Sequence, residues 1–191
     1  RAEFLVAESC VPGGDAGKTR VAARSVYSRV LELSPQCGEA FYGRAQVRLD
    51  QGDLAGARDD FLQALKELPR EAAAHAGLGC AHLQLGDFQK AIACFDEAIR
   101  IDDRSAPTYV NRSLARREAG LLEGAIEDAT KAIGIDPQCA GAYNNRATAR
   151  VDSGDLKGAL ADLDEAIRID PAPASAWFNR GRVKDELGDS D

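Results

Sequence analysis

Three asparagines stand at intervals of 34 residues, Asn111, Asn145 and Asn179, and Asn144 sits beside the second of them. A primary amide carries two donors and an acceptor on one short stem. A row of amides at a fixed interval therefore has the chemistry to hold the main chain of an extended peptide with little regard to its side chains. Catalysis needs converging groups of tuned protonation, and the sequence supplies no such set. His75 and His82 are the only histidines, and both read as structural. Asp162 and Asp164 fall on different faces of a helix, and no Ser or Cys has a base in matching register. No Cys and His cluster has metal-ligand spacing, and no C-x-x-C pair occurs. The expectation is a binding protein with no catalytic residues, no metal and no cofactor.

The run GGDAGKT, Gly13 to Thr19, invites comparison with a phosphate-binding loop. That loop needs a glycine where Pro12 stands, a strand before it and a helix after it. FLVAESCV is the only candidate strand, and nothing later in the chain suggests a parallel sheet. The run is read instead as a surface loop, with Thr19 capping a helix that starts at Arg20.

Composition narrows the partners. Acidic residues outnumber basic ones 31 to 24, for a formal charge of -7 and a pI near 5.0. Nucleic acid and anionic membranes reward clustered Lys and Arg, so neither is expected as a partner. The five cysteines read as reduced thiols, which points to a cytoplasmic location. No signal-peptide pattern or long apolar run is visible. Arg1 is not a natural start and the last residues stop just after a helical corner, so a longer parent protein is expected.

What must position the asparagines is a repeat. Gly52, Gly86, Gly120, Gly154 and Gly188 succeed one another at 34 residues. With each of these glycines at place 15, units begin at Gly38, Ala72, Ala106, Ala140 and Ala174. Place 20 is always alanine (Ala57, Ala91, Ala125, Ala159), as is place 27 (Ala64, Ala98, Ala132, Ala166). Place 8 is small, and place 4 is large or aromatic: Phe41, His75, Tyr109, Tyr143, Trp177. Leu156, Leu160, Leu163, Ile167 and Ile169 recur at helical spacing, and Tyr143, Ala147 and Val151 stack four apart. Each unit is thus two amphipathic helices with a glycine corner between them. Asp53, Asp87, Asp155 and Asp189 follow the glycine as N-caps, whereas the third unit has Leu121 and no cap. The expected organisation is a degenerate N-terminal repeat with an irregular loop over residues 1–37, four complete repeats over 38–173, and the first helix of a further, truncated repeat over 174–191. RAEFLVAESC would be the first helix of the degenerate repeat.

The period, the Gly-Asp corners, the alanines of places 20 and 27 and the closing Pro69, Pro137 and Pro171 resemble the tetratricopeptide repeat. The resemblance implies an all-α superhelix of helical hairpins and a protein or peptide partner held in its concave groove. It implies that places 2, 5, 6, 9, 12 and 13 of each first helix face that groove, where some relatives use an asparagine ladder. Asn111, Asn144, Asn145 and Asn179 would then grip the peptide main chain. Leu114, Thr148, Val151 and Phe178 would add apolar contact, and Arg117 and Arg182 would meet an acidic group. The other functional class open to such an array is the substrate-recruiting or regulatory arm of a larger enzyme. One subclass grips a chaperone tail through Lys and Asn at set places. No register here supplies that set, so tight binding of an EEVD tail is not expected.

Charge also covaries inside the units. Arg at place 7 accompanies Asp at place 23, as Arg44 with Asp60, Arg112 with Asp128 and Arg146 with Asp162, whereas Leu78 accompanies Cys94. An ion pair between the two helices of a hairpin is expected. The last helix carries Trp177, Gly181 and an unpartnered Arg180, so weak end-to-end self-association is expected there.

Overall fold

The computed structural model describes residues 16–188 of the 191, with side chains from residue 22. The helix expected over residues 1–10, the loop as far as Asp15 and the Asp189 cap lie outside the described residues. Among the described residues there are ten helices and no strand. They are α1 (Ala16–Leu33), α2 (Gly38–Asp50), α3 (Leu54–Glu67), α4 (Ala72–Gln84), α5 (Phe88–Ile101), α6 (Ala106–Glu118), α7 (Leu122–Ile135), α8 (Ala140–Ser153), α9 (Leu156–Ile169) and α10 (Ala174–Leu187). Helix α1 begins at Ala16, so Gly17 to Thr19 belong to its first turn. Thr19 as the cap of a helix from Arg20 is thereby corrected: the helical pattern extends one turn further back.

The chain divides into two compact units, residues 16–101 with α1 to α5 and residues 102–188 with α6 to α10. In each unit successive helices pack as antiparallel hairpins, and first helices also touch across one repeat, α2 with α4, α6 with α8 and α8 with α10.

The corners form for the reason the sequence suggests. Gly52, Gly86, Gly120, Gly154 and Gly188 all have φ between 77° and 88° with open space where a Cβ would stand, so backbone conformation and not crowding selects glycine. Asp53 accepts from the Gly56 amide at 3.0 Å and Asp155 from the Gly158 amide at 2.9 Å, whereas Leu121 offers α7 no side-chain cap.

Close approach of helices relies on small side chains. Ala57, Ala91, Ala125 and Ala159 at place 20 are fully buried, and so are Ala45 and Ala147 at place 8. Ser113 takes place 8 in α6 and meets its hydrogen-bonding need by donating to the Ala125 carbonyl at 2.7 Å. The larger core residues are few, chiefly Phe61, Phe95, Leu163 and Val183. Each contributes roughly 1.5–3 kcal/mol by leaving water.

Candidate functional site

The covarying charges meet. Arg44 donates through Nε and Nη2 to both oxygens of Asp60 at 2.7 Å, Arg112 to Asp128 at 2.8 and 2.6 Å, and Arg146 to Asp162 at 2.9 and 2.6 Å. These are two-pronged bonds between the helices of one hairpin. A second arginine, at place 11, completes each pair. Arg48, Arg116 and Arg150 reach the same carboxylates at 2.8, 3.0 and 2.7 Å, and also donate to the carbonyls of Gly56, Gly124 and Gly158. Two guanidiniums thus neutralise each buried Asp, and the hydrogen bond to the carboxylate raises the pKa of Arg44 and of Arg146. Each place-7 guanidinium also lies over the place-4 ring of its own helix, Arg44 on Phe41, Arg112 on Tyr109, Arg146 on Tyr143 and Arg180 on Trp177, at 5.5 to 6.0 Å.

The second arginine had a signal in the sequence. Arg stands at place 11 in the three complete units that have Arg at place 7, whereas the unit with Leu78 has His82 there. His82 is buried, with Nδ1 3.3 Å from Asp87 Oδ2. The Asp87 carboxyl lies below its ordinary range, mainly through its hydrogen bond from Lys90 and then through His82. His75 Nε2 lies 3.0 Å from the Pro69 carbonyl, in the same place where Trp177 Nε1 donates to the Pro171 carbonyl at 3.0 Å. Both histidines therefore have structural surroundings.

The candidate binding residues all fall on α6, α8 and α10. A cleft of about 110 Å³ is lined by Arg117 of α6, by Thr148, Val151 and Asp152 of α8, by Leu163 of α9, and by Asn179, Arg182 and Val183 of α10. Five of the expected residues meet there: Arg117, Thr148, Val151, Asn179 and Arg182. Asn111, Asn144, Asn145, Leu114 and Phe178 lie outside it. Phe178 is 68% exposed, and the others are half-buried.

Buried Leu163 and Val183 make the floor. The rim is polar and close to charge balance. Arg117 Nη1 lies 3.8 Å from Asp152, and Arg117 also pairs with Glu118. Among the described residues Arg182 has only a 3.7 Å contact to Glu186, one turn along its own helix. The Thr148 hydroxyl donates to the Asn144 carbonyl at 2.7 Å, which turns its methyl group toward other neighbours. Asp152, Leu163 and Val183 are the cleft residues not singled out beforehand. Asp152 occupies place 13, one of the positions the resemblance assigns to the groove. Leu163 and Val183 belong to apolar helical faces, and only packing reveals that the cleft opens onto them.

The asparagine row is not uniform. Asn145 donates through Nδ2 to the Val110 carbonyl at 3.1 Å, so one of its two amide hydrogens ties α8 to α6. Asn144 Oδ1 is a buried oxygen without a hydrogen-bond partner among the described residues. Asn179 lines the cleft. In the first unit place 6 is glycine for a steric reason. A Cβ on Gly43 would stand 2.3 Å from the Tyr27 ring, and one on Gly77 would stand 2.3 Å from the Phe61 ring. Those rings fill the space beside the helix.

Among the described residues no group of His, Cys, Asp and Glu could hold a metal, and no helix is long and apolar enough to cross a membrane. Among the described residues Cys37, Cys80, Cys94 and Cys139 form no disulfide, and Cys10 lies outside the described residues.

Profiles of the tetratricopeptide repeat match residues 14–72, 48–107 and 77–140, and a TPR repeat profile matches residues 147–188. The chain belongs to the tetratricopeptide repeat family. Its fold class is the all-α superhelix of TPR proteins, and solved structures share it. MamA from Desulfovibrio magneticus RS-1, residues 41 to the end, aligns with a TM-score of 0.77 at 18% identity over 90% of this chain and 94% of that one. YrrB, described as a TPR protein with an unusual peptide-binding site, aligns at 0.74 with 21% identity over 93% of this chain and 87% of its own. The first TPR of Spaghetti (RPAP3), solved with the HSP90 peptide SRMEEVD, aligns at 0.60 with 20% identity over 61% and 93%. At these identities the likeness speaks to the fold alone. No curated protein matches the chain in sequence.

Proposed function

We propose that this TPR chain is a protein-interaction module that holds an extended peptide across α6, α8 and α10. The contacts are Arg117, Thr148, Val151, Asn179 and Arg182, flanked by Asn111, Leu114, Asn144, Asn145 and Phe178. The observation that carries this reading is the meeting of five residues from three helices in one cleft with an apolar floor and a polar rim. A volume of about 110 Å³ suits one medium-sized side chain of a bound peptide. Asn179 makes no hydrogen bond to another described residue, so its amide is available to that peptide's main chain. Two of the neighbours in fold are described by their peptide sites or peptides, which supports a peptide ligand. The charge of -7 favours a protein over nucleic acid or an anionic membrane, and cysteines without a disulfide among the described residues fit a cytoplasmic setting.

The test is selection of phage-displayed random peptides on the 191-residue chain, followed by calorimetry of the winners against the double variant Asn179→Ala, Arg182→Ala. Each lost hydrogen bond is worth roughly 0.5–1.5 kcal/mol, so the expected loss is about tenfold in affinity, with the melting temperature unchanged. Winners that bind the double variant as tightly as the parent would move the site elsewhere.

A further inference from the structure

We propose that Asp152 is the specificity-determining residue of the cleft: it masks Arg117, so that the cleft selects an uncharged aliphatic side chain of the bound peptide and refuses an acidic one. This rests on the reading of the cleft as a peptide site, and it gives Arg117 and Arg182 a different role from the acid-binding one that the repeat resemblance implies.

Two arginines line the cleft, and on their number alone it would attract a carboxylate. Neither stands without a counter-charge. Glu118, Asp152 and Glu186 occupy place 13 of α6, α8 and α10, a second periodic row on the helices that carry the asparagines. Glu118 pairs with Arg117 along α6, and Glu186 lies 3.7 Å from Arg182 along α10. Asp152 differs from both. Its carboxylate lies 3.8 Å from Arg117 Nη1, so this contact crosses from α8 to α6, and among the described residues Asp152 is the one acid that lines the cleft. Two guanidiniums thus face three carboxylates, and the cleft has no surplus of positive charge.

The Arg117 side chain is 25% exposed, against 57% for Arg182. A partly buried charge pair is screened less than an open one, so Asp152 is felt most where Arg117 would have to receive a ligand. An incoming carboxylate would shed water and then compete with an acid already held in place, or lie beside it as a like charge. Other donors do not replace Arg117. The Thr148 hydroxyl hydrogen is committed to the Asn144 carbonyl at 2.7 Å. Arg146 and Arg150 are held by Asp162. Arg180, which the sequence reads as unpartnered, is corrected by the structure, since its Nε donates to Asp164 Oδ1 at 2.5 Å. Asn179 and Arg182 remain, and they suit the carbonyls of a peptide main chain, which need no counter-charge. What the cleft does offer a side chain is its floor, with Leu163 fully buried and Val183 1% exposed. An aliphatic group gains by leaving water there, whereas a carboxylate loses.

The probe is a phage-selected peptide that loses affinity for the Asn179→Ala, Arg182→Ala chain. Its cleft residue is the one whose alanine change couples most strongly to Val151→Ala in a double-mutant cycle, and the peptide is made with leucine, glutamine or glutamate at that position. Calorimetry with the 191-residue chain should rank leucine first, with glutamate at least tenfold weaker. In the Asp152→Asn chain the ratio of leucine to glutamate affinity should fall at least fivefold. Adding Arg117→Leu should restore it, because freed Arg117 is what receives the glutamate. Equal binding of the leucine and glutamate forms by the parent chain would overturn the proposal, as would an unchanged ratio in the Asp152→Asn chain or a ratio that Arg117→Leu fails to restore. Those failures leave the peptide site standing. Selected peptides that all ignore Asn179→Ala, Arg182→Ala would instead end the reading of the cleft as a peptide site, and this proposal with it.

Discussion

The units 16–101 and 102–188 repeat one hairpin plan, yet they fill the space beside their first helices in opposite ways. In the first, Tyr27 and Phe61 press rings against Gly43 and Gly77, and only the hairpin of α2 and α3 carries the buried Asp clamp. The hairpin of α4 and α5 substitutes Leu78, His82 and Cys94 at those places, and Leu78 and Cys94 pack into the cluster around Phe61. In the second unit both complete hairpins carry the clamp. Place 24 holds Ala129 and Leu163 in place of rings, and place 6 holds Asn145 and Asn179. Aromatic filling gives an apolar packed flank, whereas amides beside smaller residues leave a cleft with polar groups on its rim. The same backbone can thus devote one position to packing or to recognition, and the residue opposite decides which.

Breaking the clamp should show the largest effect. Asp162→Ala leaves Arg146 and Arg150 without their shared carboxylate and should cost about 3–5 kcal/mol in urea unfolding. Replacing Arg146, Arg150 and Asp162 together by Leu, His and Cys copies the hairpin of α4 and α5 and should cost less than about 2 kcal/mol, because no charge is stranded. If the single change is the milder, the clamp does not organise the second unit.

Place 8 gives the next contrast. Gly79→Ala meets Phe95 at 2.6 Å and should destabilise by about 1–3 kcal/mol. Gly181→Ala meets nothing within 4 Å and should stabilise by about 0.5–1 kcal/mol through helix propensity. Thermal unfolding of both variants decides, and shifts of equal sign would remove the steric account.

A smaller effect separates the corners. Leu121→Asp supplies the cap that Asp53 and Asp155 provide elsewhere, and it places a carboxylate near Arg116 as Asp53 lies 3.5 Å from Arg48. A gain of about 1 kcal/mol is expected, read as an increase in the urea midpoint with an unchanged slope.

The smallest effect is in the thiols. Burial pushes Cys94 up to about 11, and it raises Cys80 as well. An unfolded thiol ionises near 8.5 while folded Cys94 keeps its proton. The associated stability is whole below the unfolded value and is lost as pH rises toward the folded one. Iodoacetamide at pH 9 should therefore label Cys94 more slowly than Cys37 or Cys139, by peptide mass mapping. Equal rates would show that the core of the first unit opens as readily as its surface.

Much of this architecture is legible in residues that act locally or recur. The period places the corners because a left-handed backbone selects glycine at Gly52, Gly86, Gly120, Gly154 and Gly188 without help from any neighbour. The Arg and Asp pairing is legible because it appears in three copies and is absent, on both sides together, from a fourth. The sequence by itself thus determined the hairpins, the caps at Asp53 and Asp155, and the place-7 Arg and place-23 Asp of each buried charge cluster. Tertiary structure decided the rest. That Arg48, Arg116 and Arg150 share the carboxylate, and that Gly56, Gly124 and Gly158 offer carbonyls to them, depends on how closely two helices approach. That Asn145 spends a hydrogen on Val110 while Asn179 faces a cleft depends on what stands across from each. Identical residue types at identical places diverge there, because a side chain's role follows from the neighbours that packing brings within hydrogen-bonding distance, and those neighbours are not encoded in the repeat itself.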